Sequence, residues 1–367
     1  MNKILLYLKN FDWILFTSIL LLVCFGLAEI YSVALGRSSL DLLNFKKQIF
    51  FIIAGMILLF ALSFFDYHGL RSWSKYLYIF GILLLAGVLL FGQTQRGTKG
   101  WYNFAGLNFQ PVEFVKFILV LFLAKYFSTA AIRSGSLKHL IISGGGVLLF
   151  AALVLVQPDF GSAFVLFLLW LAMIFLVGFN KKYFLIIFLA IALVFAGSWF
   201  YVFKDYQKQR IITFLNPSFN PLSQGYNVSQ AIIAVGAGRL TGRGLGFGSQ
   251  SQLKFLPEAQ TDFIFAVISE ELGFSGVLLI LLFFGIFFYR ALYQLRRINN
   301  DFGIFFILGS LCLIFIEIFI NIGMNLGILP VIGISLPFLS YGGSGIISSL
   351  MLVGVMESII IRSKINY

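Results

Sequence analysis

Charge is scarce in this chain. Only 11% of its 367 residues are Asp, Glu, Lys or Arg while 60% are hydrophobic, which excludes an ordinary soluble domain with a charged surface. Cysteine and histidine are scarcer still, at two each. Two cysteines exclude a disulfide framework, and Cys24 and Cys312 fall in apolar runs, where they read as small core residues. Neither His68 nor His139 stands at metal-ligand spacing, so neither receives a role. Proline occurs seven times.

What the chain does have is long apolar runs. They lie near residues 11–35, 48–65, 112–130, 139–156, 160–178, 183–203, 262–290, 303–325 and 341–361, with a shorter run at 77–92. The longer ones match a hydrocarbon thickness of about 30 Å. The expected fold is an all-α polytopic integral membrane protein of about ten transmembrane helices. Residues 1–367 form one transmembrane domain, and residues 203–261 a large extracytoplasmic loop between helices 7 and 8. The first run is bracketed by Asp12 and Glu29 and has no small-residue cleavage site, so it is expected to be a true span rather than a cleaved signal. With the N-terminus inside, fourteen Lys and Arg fall in the inner segments and five in the short outer loops. That excess places both termini in the cytoplasm. The net charge of +12 partly reflects this orientation, and nucleic-acid binding is not expected.

In this topology every proline lies on the outer side: Pro111, Pro158, Pro217, Pro221, Pro257, Pro330 and Pro337. Proline fixes φ and ends helices, so shaped backbone is concentrated on one face. The acids point the same way. Asp262 stands where a polar loop gives way to a span, with Glu270 and Glu271 further along the same apolar run. A carboxylate near hydrocarbon costs several kcal/mol unless paired, hydrated or protonated, and such acids usually mark a site. Gln110-Pro111-Val112-Glu113 and Gln157-Pro158-Asp159 each place an acid in the first turn of a span, which also suits the helix dipole. Lys116, one turn beyond Glu113, reads equally as a structural clamp or a ligand contact.

The long loop carries a short amphipathic helix near residues 224–235, expected to lie in the membrane interface, and a glycine-rich stretch from Gly236 to Gly248. Lys204, Lys208, Arg210, Arg239, Arg243 and Lys254 outnumber Asp205 and Glu258 there. Cations around a single acid suit an anionic, phosphate-bearing substrate attacked with help from a base. The last outer loop, residues 329–345, is apolar and full of helix breakers, so it is expected to line a cavity.

Five motifs in order resemble the SEDS family, the shape, elongation, division and sporulation proteins, and lie closer to its RodA branch than to its FtsW branch. They are Lys99-Gly100-Trp101, the stretch from Phe109 to Lys116, Gln157-Pro158-Asp159-Phe160-Gly161, the stretch from Phe255 to Glu271, and Pro337-Phe338-Leu339-Ser340-Tyr341-Gly342-Gly343-Ser344. The resemblance implies a peptidoglycan glycosyltransferase that polymerises lipid II on the outer face of the bacterial cytoplasmic membrane for cell elongation and shape. It also implies a class B penicillin-binding protein as transpeptidase partner. The family's essential aspartate falls on Asp262, its paired glutamate and lysine on Glu113 and Lys116, and an important aromatic on Trp101. Gln260 departs from the usual histidine before Thr-Asp and is expected to retune Asp262, while Ile332 and Ser335 replace the usual threonine and proline.

The expected chemistry has Asp262 as general base. Pyrophosphate departure would be stabilised by cations, with Arg210, Arg243, Lys116 and Lys99 as candidates, or by a divalent metal. The rival class is a flippase for a lipid-linked precursor. It would use buried acids and broken helices equally well, but no inverted repeat is evident.

Overall fold

The computed structural model describes residues 3–36, 42–95, 97–104, 106–129, 137–201, 208 and 224–365. Arg210, Pro217 and Pro221 lie outside the described residues. Helices α1 (Lys3–Asn10), α2 (Trp13–Leu35), α3 (Leu43–Phe64) and α4 (Tyr67–Phe91) lead into strands β1 (Gln93–Gln95), β2 (Thr98–Phe104) and β3 (Leu107–Phe109). Helices α5 (Pro111–Phe127), α6 (Leu137–Val156), α7 (Phe160–Val177) and α8 (Lys181–Tyr201) follow. The rest comprises α9 (Gln224–Ala237), α10 (Ser249–Gln252), α11 (Ile264–Leu295), α12 (Asp301–Asn325) and α13 (Gly343–Ile365).

Eight of these helices, α2, α3, α4, α6, α7, α11, α12 and α13, are long and apolar enough to cross a membrane. The other two expected spans are α5, with 17 residues, and α8, with 21. They differ sharply in setting. α5 is enclosed by neighbours, with every residue from Val115 to Leu121 buried, whereas α8 turns Phe188, Leu193 and Phe200 outward. Outward apolar side chains are what a lipid-facing helix requires.

The chain ends meet on one face. Asp12, buried at the start of α2, accepts two 2.9 Å bonds from Arg290 of α11 and a bond from Gln294. Its own amide reaches Glu357 of α13 at 3.1 Å, and Lys364 donates to the Asn10 carbonyl at 2.8 Å. The N-termini of α5, α7, α11 and α13 therefore gather at the opposite end of the bundle.

Two features at that end were not foreseen. The first is an antiparallel sheet, in which β2 pairs with β1 through Gln93 and Trp101 and with β3 through Tyr102 and Phe109. The second is a break in α11 at Gly273, whose φ of 67° and ψ of −165° are open to glycine and costly for other residues. The break frees backbone groups, and the glycine-rich loop takes them up. The amides of Arg243 and Gly244 donate to the carbonyls of Glu270 and Glu271 at 3.0 and 2.9 Å, while those of Phe274 and Ser275 donate to Arg239 and Leu240. The amphipathic helix is present as α9: Ala231 and Ala234 are fully buried in a cluster with Phe263, Ala266 and Val267, while Ile232 and Ile233 are exposed.

Candidate functional site

A cavity of about 880 Å³ opens where the four helix starts converge, and residues from all five sequence motifs line it. Trp101 comes from β2, Gln110, Glu113 and Lys116 from the start of α5, Pro158 to Gly161 from the start of α7, Pro257, Glu258, Thr261 and Asp262 from the approach to α11, and Tyr341 to Ser344 from the start of α13. The loop between α12 and α13 adds Val331 to Ser335, so this apolar, broken segment is cavity wall.

Hydrogen bonds tie the motifs to one another. The Gln110 amide donates to the Ser344 hydroxyl at 2.8 Å, and its side chain reaches Asp159 at 3.4 Å. The Ser340 hydroxyl donates to the Thr261 carbonyl at 2.7 Å, and the Tyr341 amide donates to the Gln260 carbonyl at 2.7 Å. The Lys99 amide donates to the Gln157 carbonyl at 3.2 Å, fixing the sheet to the turn before α7.

Lys116 is the centre of a buried triad. Its Nζ lies 2.8 Å from Glu113 and also binds Glu317 of α12, with only 3% of its side chain exposed. Sequence separation concealed Glu317, which had no assigned role. Two carboxylates compensate this lysine, as the clamp reading expects, and the lysine still lines the cavity.

Asp159 caps α7, accepting from the Ser162 amide at 3.0 Å and its hydroxyl at 2.8 Å. Burial nevertheless pushes its carboxyl above the ordinary carboxylate range, overcoming those two bonds. Asp262 lies two residues before α11, and a Cβ built on Gly333 would sit 3.6 Å from its Oδ2. Gly333 has φ +74°, so glycine permits the turn that faces the carboxylate.

The other expected site residues are placed elsewhere. Arg243 and Lys99 are not among the residues lining the cavity; the Arg243 guanidinium donates to Ser249 at 2.8 Å and so braces its own loop. Glu270 and Glu271 are buried loop anchors. Glu270 accepts from the amides of Gln250 and Ser251, and Glu271 from the Gly246 amide, Ser251, Gln252 and Ser32. Gln260 turns its side-chain amide away, accepting from Asn44 at 2.8 Å and donating to the Ile30 carbonyl at 3.3 Å, so it packs the loop on α2 and α3. Among the described residues no group of three or more His, Cys, Asp or Glu forms a metal site.

Five motifs thus gather around one cavity at a single end of the helix bundle. The chain matches the FTSW_RODA_SPOVE family, described as cell cycle protein, over residues 12–365. The chain belongs to this family. It is 35% identical to the peptidoglycan glycosyltransferase MrdB of Escherichia coli strain K12, over 88% of this chain and 87% of that protein. It is 37% identical to stage V sporulation protein E of Bacillus subtilis strain 168, over 95% and 96%. Among solved structures, a chain of a peptidoglycan synthase complex aligns with TM-score 0.81 and 28% identity, over 97% of this chain and 98% of that one. The rod shape determining protein RodA of Thermus thermophilus aligns with TM-score 0.70 and 26% identity over the same shares. This FtsW/RodA/SpoVE protein is therefore a multi-pass membrane protein with the fold of those chains.

Proposed function

We propose that this protein is a peptidoglycan glycosyltransferase that polymerises lipid II at the outer face of the bacterial cytoplasmic membrane, serving cell elongation and shape. The observation that carries this reading is the convergence of all five family motifs, with Asp262, on one cavity at the end of the bundle opposite the chain termini. Asp262 takes the proton from the 4-hydroxyl of the acceptor N-acetylglucosamine. That oxygen bonds to the muramyl C1 of the donor from the side opposite the leaving group, the bond from C1 to the pyrophosphate oxygen breaks, and the anomeric centre inverts. Undecaprenyl pyrophosphate leaves.

Charge distribution bears on this step. The described lining residues include four acids, Glu113, Asp159, Glu258 and Asp262, and one lysine that is already paired. Four helix N-termini facing the cavity supply positive potential that suits both these carboxylates and a departing pyrophosphate. Trp101 in the wall offers a flat apolar face for a sugar ring. Glu113 and Lys116 act as a fixed charge pair at the cavity floor. The peptidoglycan synthase complex among the similar structures supports a transpeptidase partner, which we take to be a class B penicillin-binding protein.

Purified protein given labelled lipid II in vesicles tests the reading. Glycan chains that grow with time are the expected product. Transbilayer movement of lipid II without chains would instead establish the flippase.

A further inference from the structure

The apolar helix α12 carries three polar residues at fourfold spacing, Glu317, Asn321 and Asn325, which places them on one face. Glu317 is accounted for by Lys116. Asn321 and Asn325 are fully buried, and a buried amide costs free energy unless its donors and acceptor are used. Theirs converge on a single backbone group. Asn321 donates one N–H to the carbonyl of Asp262 at 3.0 Å and one to that of Ile334 at 2.7 Å. Asn325 donates to the same Asp262 carbonyl at 3.0 Å and to the Asn321 carbonyl at 2.8 Å. These partners are all carbonyl oxygens, so the network itself fixes which side of each amide carries nitrogen.

The remaining atom of Asn325 gives the arrangement its meaning. Its Oδ1 accepts the amide of Ala266 at 3.1 Å. In a regular α-helix the Asp262 carbonyl would accept that very amide, four residues on. The Asn325 side chain stands between the two groups and bonds to both. The Ala266 amide also donates to the Phe263 carbonyl at 3.1 Å, so Asn325 replaces one helical bond at the point where α11 would otherwise begin one residue earlier, and Asn321 ties the Asp262 carbonyl to the cavity wall at Ile334. Each further residue of helix rotates a side chain by about 100° about the axis, so closing this turn would swing the Asp262 carboxylate away from its place against Gly333.

We infer that Asn325, as a wedge in the first turn of α11, and Asn321, as a tie to the last outer loop, are the positioning residues that aim Asp262 into the cavity. The inference rests on the reading of Asp262 as general base. Neither asparagine touches substrate; each acts through the backbone of Asp262.

The experiment uses the full-length protein in lipid nanodiscs and measures lipid II polymerisation by wild type, Asn325→Ala, Asn321→Ala, Asp262→Asn and Gln294→Ala. Gln294 is another fully buried amide, bonded to Asp12 at the opposite end of the bundle, and reports the cost of losing a buried amide as such. The expected result for Asn325→Ala is a fall in kcat of about 100-fold, the scale of a misplaced reacting group, with KM for lipid II within about twofold of wild type. Its residual activity should also lose the acidic limb of the pH profile, because the base no longer reaches the reaction. Asn321→Ala should fall in the same direction by less, and Gln294→Ala should lower the melting temperature while leaving kcat unchanged. Wild-type kcat and an unaltered acidic limb in both asparagine variants, with Asp262→Asn inactive, would overturn the positioning role and leave the base intact. Full turnover by Asp262→Asn would remove the base assignment itself, a different failure read from a different variant.

Discussion

The buried triad makes an asymmetric prediction. Lys116 faces two carboxylates, Glu113 at 2.8 Å and Glu317, with side-chain exposures of 3%, 13% and 9%. Replacing Lys116 by Met keeps an unbranched apolar stem, one atom shorter, and strands two like charges against each other away from water. Breaking a buried ion pair by removing one partner costs about 3–5 kcal/mol, and here both acids lose the cation they share, so the upper part of that range applies. Glu317→Gln behaves differently, because it leaves the Lys116 pair with Glu113 charged and balanced and keeps a hydrogen-bonding group in place. Its cost should be about 1 kcal/mol, the worth of one ordinary hydrogen bond. The assay is the thermal midpoint of detergent-purified protein, completed by Lys116→Met/Glu113→Gln/Glu317→Gln. The expected order is wild type, then Glu317→Gln, then the neutral triple variant, then Lys116→Met as least stable. A Lys116→Met midpoint equal to that of Glu317→Gln, or a triple variant no better than Lys116→Met, would show that the three groups are not coupled as a buried charge cluster.

Other expectations follow from single residues. Gly333→Ala must adopt φ +74° beside Asp262, which should cost about 1–2 kcal/mol of stability and lower polymerisation, measured on the same preparation. Arg243→Lys loses the guanidinium bond to Ser249 but touches no cavity wall, so turnover should match wild type; a large loss in steady-state polymerisation would return Arg243 to the site. The Asp159 carboxyl is raised above its ordinary value by burial, so the folded state favours the protonated form, and this contribution is present at low pH and is lost as pH rises through the raised value. The melting temperature of Asp159→Asn relative to wild type should therefore climb as pH rises from about 4, and a difference that is flat with pH would contradict it.

The all-α, many-span fold was legible because it depends on long apolar runs, and the cavity lies where prolines and acids interrupt them. The gathering of the five motifs needed only their shared position at helix starts of one end of the bundle. What escaped has identifiable causes. Strands of three to seven residues between Gln93 and Phe109 are too short to show alternation beside an apolar span. The break at Gly273 looks in sequence like any glycine in an apolar helix. Glu317 sits 201 residues from Lys116, so nothing local pairs them, although its fourfold spacing with Asn321 and Asn325 in an otherwise apolar run was a usable signal of a polar face. Arg243 and Lys99 were assigned by charge alone, and charge does not say where a side chain points. Glu270 and Glu271 share the apolar segment of Asp262, yet the glycine-rich loop folded over them supplies enough amides and hydroxyls to make them anchors.

If Asp262 is the base for glycan polymerisation within this cavity, one variant must abolish the reaction without disturbing the fold. Asp262→Asn keeps the shape of the side chain and its backbone bonds to Asn321 and Asn325 while removing the proton acceptor. Polymerisation of labelled lipid II by the purified variant, with membrane insertion and thermal midpoint matched to wild type, should fall by at least about 100-fold, the lower end of what a general base contributes. Glycan synthesis at close to the wild-type rate would contradict the account.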